Sequence, residues 1–330
     1  MAVLSTTNPT LADVAKRYDA DGKIDTIVEM LAETNEVLED MTFLEGNLPT
    51  GHRTTIRSGL PSSTWRKLNY GVQPSKSTTV QVTDTTGMLE AYAEVDKSLA
   101  DLNGNTGAFR LSEDRAFLES MNQTMANTLF YGDTGTDPEK FMGLSARYNS
   151  TSAESGDNIL LGGGSGADNT SVWLVCWGPN SLHGIYPKGS QAGLNHHDLG
   201  EVTLEDAANG KYQGYRTHYK WDVGMTVRDW RYAVRIPNID ISALTKDASG
   251  ASANLVDLMV QAIELLPNTN LGRCVFYGNR TISSILRRQI TNTSNVRLSM
   301  DEVAGKRVMS FDGIPFRRND ALIKTEALVS

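Results

Sequence analysis

The sequence predicts an α+β fold, and three observations carry that prediction. Helical and strand-like segments do not alternate strictly, so a doubly wound parallel sheet is not indicated. One long helical stretch, residues 112–132, stands between two β-rich regions. Residues 49–87 read as a β-hairpin with very little apolar surface to bury within its own fold. The chain of 330 residues is long enough for more than one core-forming region. Its 39% hydrophobic and 21% charged residues are those of an ordinary soluble protein. A net charge of -8 argues against a dedicated nucleic-acid binder, which would carry a clustered basic surface.

Residues 1–10 are polar and predict a loose arm, without the basic segment and apolar run of a secretory leader. No stretch approaches the ~18–20 apolar residues of a membrane span, so a soluble, cytosol-made protein is expected. From residue 11 to about 44 the spacing of Ile24, Ile27, Val28, Leu31, Leu38 and Met41 predicts helix, broken at Asp21-Gly22. Glu29, Glu33, Glu36, Glu39 and Asp40 are expected on its solvated face.

Residues 54–57 and 78–82 are rich in β-branched side chains and predict strands, with a turn cluster at 58–63. Two strands alone are marginal in water. This hairpin must therefore pack on the body or be held by another molecule. Trp65 and Tyr70 stand among Arg53, Arg57, Arg66 and Lys67, and aromatics and arginine are enriched at protein interfaces. These six residues are the candidates for an intersubunit contact. The same side chains suit phosphate contacts and base stacking, which makes a nucleic-acid-binding module an alternative.

In the long helical stretch Ser112 is the expected N-cap, with Glu113 and Asp114 in the first turn, where the helix dipole favours carboxylates. Phe117, Met121 and Met125 recur every four residues with Leu118 and Leu129 beside them, giving an apolar stripe. Gly132 is expected to end the helix in the left-handed conformation. Such a rod is roughly 30 Å long.

Beyond it, residues 149–170 predict an exposed polar loop and 172–177 a buried strand stopped by Gly178-Pro179. Residues 181–216 read as irregular apart from a short strand at 202–204. Residues 218–236 alternate in polarity with a phase flip at Arg228-Asp229, which predicts a bulge or bend. Lys220, Asp222, Arg231 and Arg235 are expected outside. Leu255, Met259, Ile263 and Leu266 stripe a helix, 273–277 is a buried strand, and Ile282, Ile285, Leu286 and Ile290 stripe a second helix. Residues 308–311 and 314–316 flank an Asp312-Gly313 turn. Cys176 and Cys274 each lie in an apolar run and are expected as buried free thiols.

Catalytic patterns are few. Asp133-Thr134-Gly135 matches the aspartic-peptidase triplet, but that chemistry needs a second carboxylate and the triplet has no second copy. His196 and His197 are adjacent, so on a strand they face opposite ways, and no HExxH or paired CxxC accompanies them. Gly162, Gly164 and Ala167 match a dinucleotide fingerprint whose glycines should open a helix, yet a strand follows. No catalytic, cofactor-binding or metal-binding residue is assigned. A hydrolase using the Asp133 or His196-His197 region is the enzymatic alternative.

The order of parts is a helical arm, an unsupported hairpin, a long spine helix, a β-rich body, helix–strand–helix and a Phe-Asp-Gly-Ile-Pro terminal strand. That order resembles the major capsid proteins of tailed bacteriophages, with the Hong Kong 97-type fold. Residues 129–133, 141–144, 185–189 and 221–232 are similar to the coat proteins of short-tailed phages of the epsilon15 and Bordetella-phage kind. The resemblance implies an N-terminal arm at 1–47, an extended loop at 48–87 and a peripheral domain at 88–150 with spine helix 112–131. It further implies a β-rich body at 151–250 shared between axial and peripheral domains, an axial helix–strand–helix at 251–300 and a returning strand at 301–330. The implied function is a structural shell protein, not an enzyme. It would assemble in the bacterial host cytoplasm into hexamers and pentamers of an icosahedral head enclosing double-stranded DNA. Implied partners are further copies of itself, cement or decoration, scaffold and portal proteins, and non-specific contact with packaged DNA. No cofactor and no membrane are implied.

Overall fold

A computed structural model describes residues 33, 35–102, 106–206, 208–244, 253–292, 298–303 and 306–330. The polar arm and helix expected before residue 33 lie outside these. A one-turn helix, α1 (Val37–Asp40), leads into β1 (Phe43–Glu45), followed by the hairpin strands β2 (Gly51–Gly59) and β3 (Thr78–Asp96). A short turn, α2 (Lys97–Ala100), precedes the long helix α3 (Thr106–Tyr131) and one-turn α4 (Leu144–Arg147). Then come β4 (Asn169–Trp177), β5 (Leu182–Tyr186), β6 (Asn195–Glu205), β7 (Lys211–Val227) and β8 (Ala233–Asp240). Helix α5 (Leu255–Leu265), β9 (Arg273–Gly278), α6 (Arg280–Asn292), β10 (Leu298–Val303), β11 (Lys306–Phe311) and β12 (Ile314–Arg318) complete the chain.

The strands form one branched, mixed sheet. Its main path runs β10-β11-β12-β9-β4-β5-β7-β3-β2, with β8 on β4, β6 on β7 and β1 on β5. β4 lies at the centre, bonded antiparallel to β8 and to β9. Enclosed in this way, all nine of its residues are buried, which is why it reads as a continuous apolar run rather than an alternation. The main core joins Trp173 and Trp177 of β4 to Phe276 and Tyr277 of β9, Ile282 and Leu286 of α6, and Met125, Leu129 and Phe130 of α3. The N-terminal half of α3 rests on β3 and β7 through two smaller clusters, Val95–Ala100–Phe109 and Ala93–Met121–Tyr219.

The hairpin strands, β4, α5, β9, α6 and the β11–β12 turn follow the sequence pattern. At that turn Asp312 (φ 52°) and Gly313 (φ 79°) adopt the positive angles that a two-residue hairpin turn needs. Elsewhere tertiary packing overrides local signals. Helix α3 starts at Thr106, so Ser112 lies inside it and does not cap it. Burial of Phe109 against Val95 and Ala100 explains the extension. Leu118, expected in the apolar stripe, is exposed. Gly132 is not left-handed. It is needed for close passage of two backbones: the Gly143 N–H donates to the Gly132 carbonyl at 2.8 Å. A Cβ on Gly143 would lie 2.7 Å from the Thr128 carbonyl oxygen.

Other corrections concern polar segments. Residue 44 belongs to β1, which pairs in parallel with β5, and the helix before it ends at Asp40. Residues 149–170 are not an open loop. The amides of Leu160, Gly162 and Gly164 donate to the carbonyls of Arg235, Pro237 and Asn238 along β8. No helix opens at those glycines, so the dinucleotide pattern is a strand-hugging segment. Residues 181–216 are not irregular but hold β5, β6 and the start of β7; β6 is largely exposed and so lacks an apolar alternation. The phase flip at 228–229 is a change of strand. β7 ends at Val227, Asp229 caps a 3-10 turn at Trp230–Tyr232, and β8 departs to pair with β4. Strand β10 had no legible signal.

Two charged residues expected outside are buried. Asp40 meets Arg273 at 2.7 Å and Arg317 at 3.0 Å and accepts the Tyr277 hydroxyl at 2.8 Å. Arg235 pairs with Glu326 at 2.9 Å, and both side chains are almost fully enclosed. Glu326 also accepts from Ser171 Oγ at 2.7 Å and from the Tyr131 hydroxyl at 2.5 Å. The C-terminal tail is thereby tied into the centre of the core.

Candidate assembly interface

β2 and β3 pair antiparallel from Gly51↔Thr85 to Gly59↔Thr78, with an irregularity between Arg57 and Gly59. β3 does not stop there. Its second half, Thr86 to Asp96, pairs with β7 from Gly224 to Gly214. One continuous strand of 19 residues, about 60 Å at the rise of an extended chain, is therefore sheet at one end and hairpin stem at the other. The hairpin is a cantilever projecting from the body.

Every residue from 60 to 77 is exposed. Trp65 is fully exposed, and Leu60, Leu68 and Tyr70 retain 81%, 86% and 69% of their accessible surface. Within the loop few polar contacts give shape: Ser75 Oγ donates to the Ser62 carbonyl at 2.9 Å, and the Tyr70 amide to the Lys67 carbonyl at 3.2 Å. The six interface candidates are spread along this arm rather than gathered in one patch. Arg53 and Arg57 lie on the stem opposite Thr83 and Thr79, and Trp65, Arg66, Lys67 and Tyr70 lie at the tip. All six are exposed. From residue 46 to 83 there are five Lys and Arg and no Asp or Glu, so the arm is basic and the remainder more acidic than the total of -8 suggests.

The root of the arm holds a polar cluster that the sequence pattern did not reveal. Asp84 of β3 is buried; Arg147 of α4 donates to it at 2.7 Å and Thr226 Oγ1 of β7 at 2.5 Å. His52 of β2 lies 3.1 Å from Arg228 Nη2, and its ring centroid is 5.9 Å from that of His183. Burial, then the Arg228 guanidinium, hold His52 below the ordinary imidazole range. Burial, Arg228 and His52 push His183 down to about 4. Two buried imidazoles and a carboxylate that accepts two hydrogen bonds thus gather where the stem leaves the sheet. The signal available in the sequence was three separated residues, His52, Asp84 and His183, whose proximity only the β2–β3–β7–β5 pairing creates.

The alternative sites do not converge. Asp133 closes the turn after α3, its Oδ1 accepting the Gly135 amide at 2.8 Å. His196 and His197 sit on β6 opposite Tyr219 and His218 and are exposed. Asp198, next to them, is taken by Arg110 at 2.5 Å, which holds its carboxyl below the usual range. Among the described residues no group of three His, Cys, Asp or Glu is placed to hold a metal, and no helix is long and apolar enough to cross a membrane.

Residues 19–330 match the family described as Major capsid protein GP7. A chain of the cryo-EM structure of bacteriophage epsilon15 shares 40% identity over 100% of this chain and 99% of its own, with a TM-score of 0.79. A chain of the bacteriophage JBD30 capsid, only 8% identical, aligns over 90% of this chain and 95% of its own at a TM-score of 0.50, a likeness of fold alone. No curated protein matches.

Proposed function

Because the chain belongs to the major capsid protein GP7 family, a structural protein of the icosahedral phage head, we propose that its basic hairpin arm is the element that joins one subunit to the next. Self-association in the virion shell is the role of this family and of this chain. The finer reading concerns how. The observation that carries it is the exposure of Leu60, Trp65, Leu68 and Tyr70 on an arm whose root is packed in the sheet. Burying an aromatic side chain removes about 150–250 Å² from water. At about 25 cal/mol per Å² this is worth roughly 4–6 kcal/mol for the tryptophan, an upper bound. Only a neighbour can supply that burial. The basic arm and the more acidic remainder are complementary in charge, which favours arm-to-body contact between copies. Each such contact can be modest, because a closed shell makes many at once.

In this reading residues 1–47 form the N-terminal arm, 48–87 the extended loop that is the basic hairpin arm, 88–150 the peripheral domain, 151–250 the shared body, 251–300 the axial unit and 301–330 the returning strand. Subunits gather as hexamers and pentamers in the host cytoplasm, with scaffold, portal and cement proteins as further partners. The overall acidity keeps contact with packaged DNA weak and non-specific. The chain carries no catalytic site in this proposal. The test is a Trp65→Ala, Tyr70→Ala double variant followed by sedimentation under assembly conditions. The subunit should stay folded while shell formation weakens by about 2–4 kcal/mol per contact, the range of central interface anchors. Shells forming at unchanged protein concentration would refute the role of the arm.

A further inference from the structure

Cys176 of β4 and Cys274 of β9 stand directly opposite each other in the antiparallel register. Opposed residues in such a pair share a face and have Cα atoms about 4.5–5.5 Å apart. That lies within the roughly 4.4–6.8 Å that a disulfide spans. Both cysteines are free and buried. The strands around them are already fixed: Val175 pairs with Val275, and Trp177 Nε1 donates to the Tyr277 hydroxyl at 2.8 Å. Closing a bond between the sulfurs therefore needs little rearrangement. We propose that Cys176 and Cys274 are an oxidisable pair that a small peroxide closes into an intrachain disulfide between the two central strands of the core.

The two sulfurs have unequal roles. The neighbouring Cys274 thiol, then the Gly272 amide, hold the Cys176 thiol below the ordinary value against its burial, so Cys176 carries the greater thiolate character. Gly272 packs closely enough that a Cβ there would lie 3.3 Å from Cys176 Sγ. The Cys176 thiolate attacks one oxygen of hydrogen peroxide, the O–O bond breaks, and hydroxide leaves, giving a sulfenic acid. Cys274, whose Sγ donates to the Thr269 carbonyl at 3.3 Å, then attacks that sulfur. The S–S bond forms and the sulfenic hydroxyl departs as water. Two thiols are oxidised by two electrons in all, and one peroxide becomes two waters. A reducing cytosol keeps the pair open while subunits fold, and the bond closes outside it. The closed form ties the chain between residues 176 and 274 into a covalent loop and restrains unfolding.

The experiment treats folded, full-length protein with hydrogen peroxide, denatures it, and counts free thiols with a maleimide. The count should fall from two per chain to none, return with dithiothreitol, and leave β4 and β9 peptides joined in a non-reducing digest. In Cys274→Ser the same treatment should leave a sulfenic acid on Cys176 that dimedone traps; should that variant not fold, the wild-type digest decides alone. Thiols that survive in the folded protein but not in the denatured one would overturn the proposal. So would bonds between chains, or a loss that dithiothreitol does not restore.

Discussion

Trp173 and Trp65 are the same residue in opposite circumstances. Trp173 lies in β4, where every neighbour along the strand is buried. Trp65 lies in an arm where every residue from 60 to 77 is exposed. Side-chain chemistry does not separate them; the supply of partners within one chain does. β4 has strands on two edges, α3 nearby and a C-terminal tail anchored beside it through Glu326. Among the described residues the arm has one strand pairing, and every residue along its tip is exposed. The core therefore pays its own conformational entropy, whereas the arm leaves its apolar surface exposed in the single chain.

That contrast can be broken most forcefully from the core side. Glu326→Ala removes the acceptor for Arg235, Ser171 and Tyr131 and leaves the Arg235 guanidinium buried without its carboxylate. The unassembled subunit should lose about 3–5 kcal/mol in urea unfolding. A loss within error would mean that the tail is an ornament on the core and not a part of it.

A smaller effect is expected at the root of the arm, where the two regions meet. His183 is held at about 4 against an ordinary value of 6.5. Between those values the unfolded chain binds a proton that the folded chain does not. Stability is thus complete above about pH 6.5 and falls by about 3 kcal/mol as the pH drops toward 4. His52 shifts in the same direction and steepens the decline. In His183→Gln the slope of unfolding free energy against pH should be visibly shallower over that window; an identical slope would remove His183 from the account.

The smallest effect is the most telling about the arm. Trp65→Ala should leave the unfolding free energy of the isolated subunit within about 0.5 kcal/mol of the parent, as for a surface substitution. A core tryptophan would cost several times that.

Much of the fold was legible because burial leaves a local trace. Apolar continuity located β4 and β9, the three-and-four spacing of Leu255, Met259, Ile263 and Leu266 located α5, and Asp312-Gly313 located the last hairpin turn. The arm was legible by the opposite sign, as β-branched residues without an apolar face. What was missed depends on partners distant in sequence. Asp40 and Arg235 look like solvated charges until Arg317 of β12 and Glu326 of the C-terminal tail arrive. Ser112 looks like a cap until Phe109 finds Val95 and Ala100. The root cluster of His52, Asp84, His183 and Arg228 draws on three strands and the turn after β7, none of which carries a motif. Most of β6 and the first residues of β7 hid because an exposed strand needs no apolar alternation.

Amide hydrogen exchange across residues 60–77, measured on the free subunit and on the assembled shell, tests the central claim directly. The amides should exchange rapidly in the subunit and become strongly protected in the shell, while those of β4 are protected in both. A tip already protected in the free subunit, or still unprotected after assembly, would contradict an arm stabilised by its neighbour.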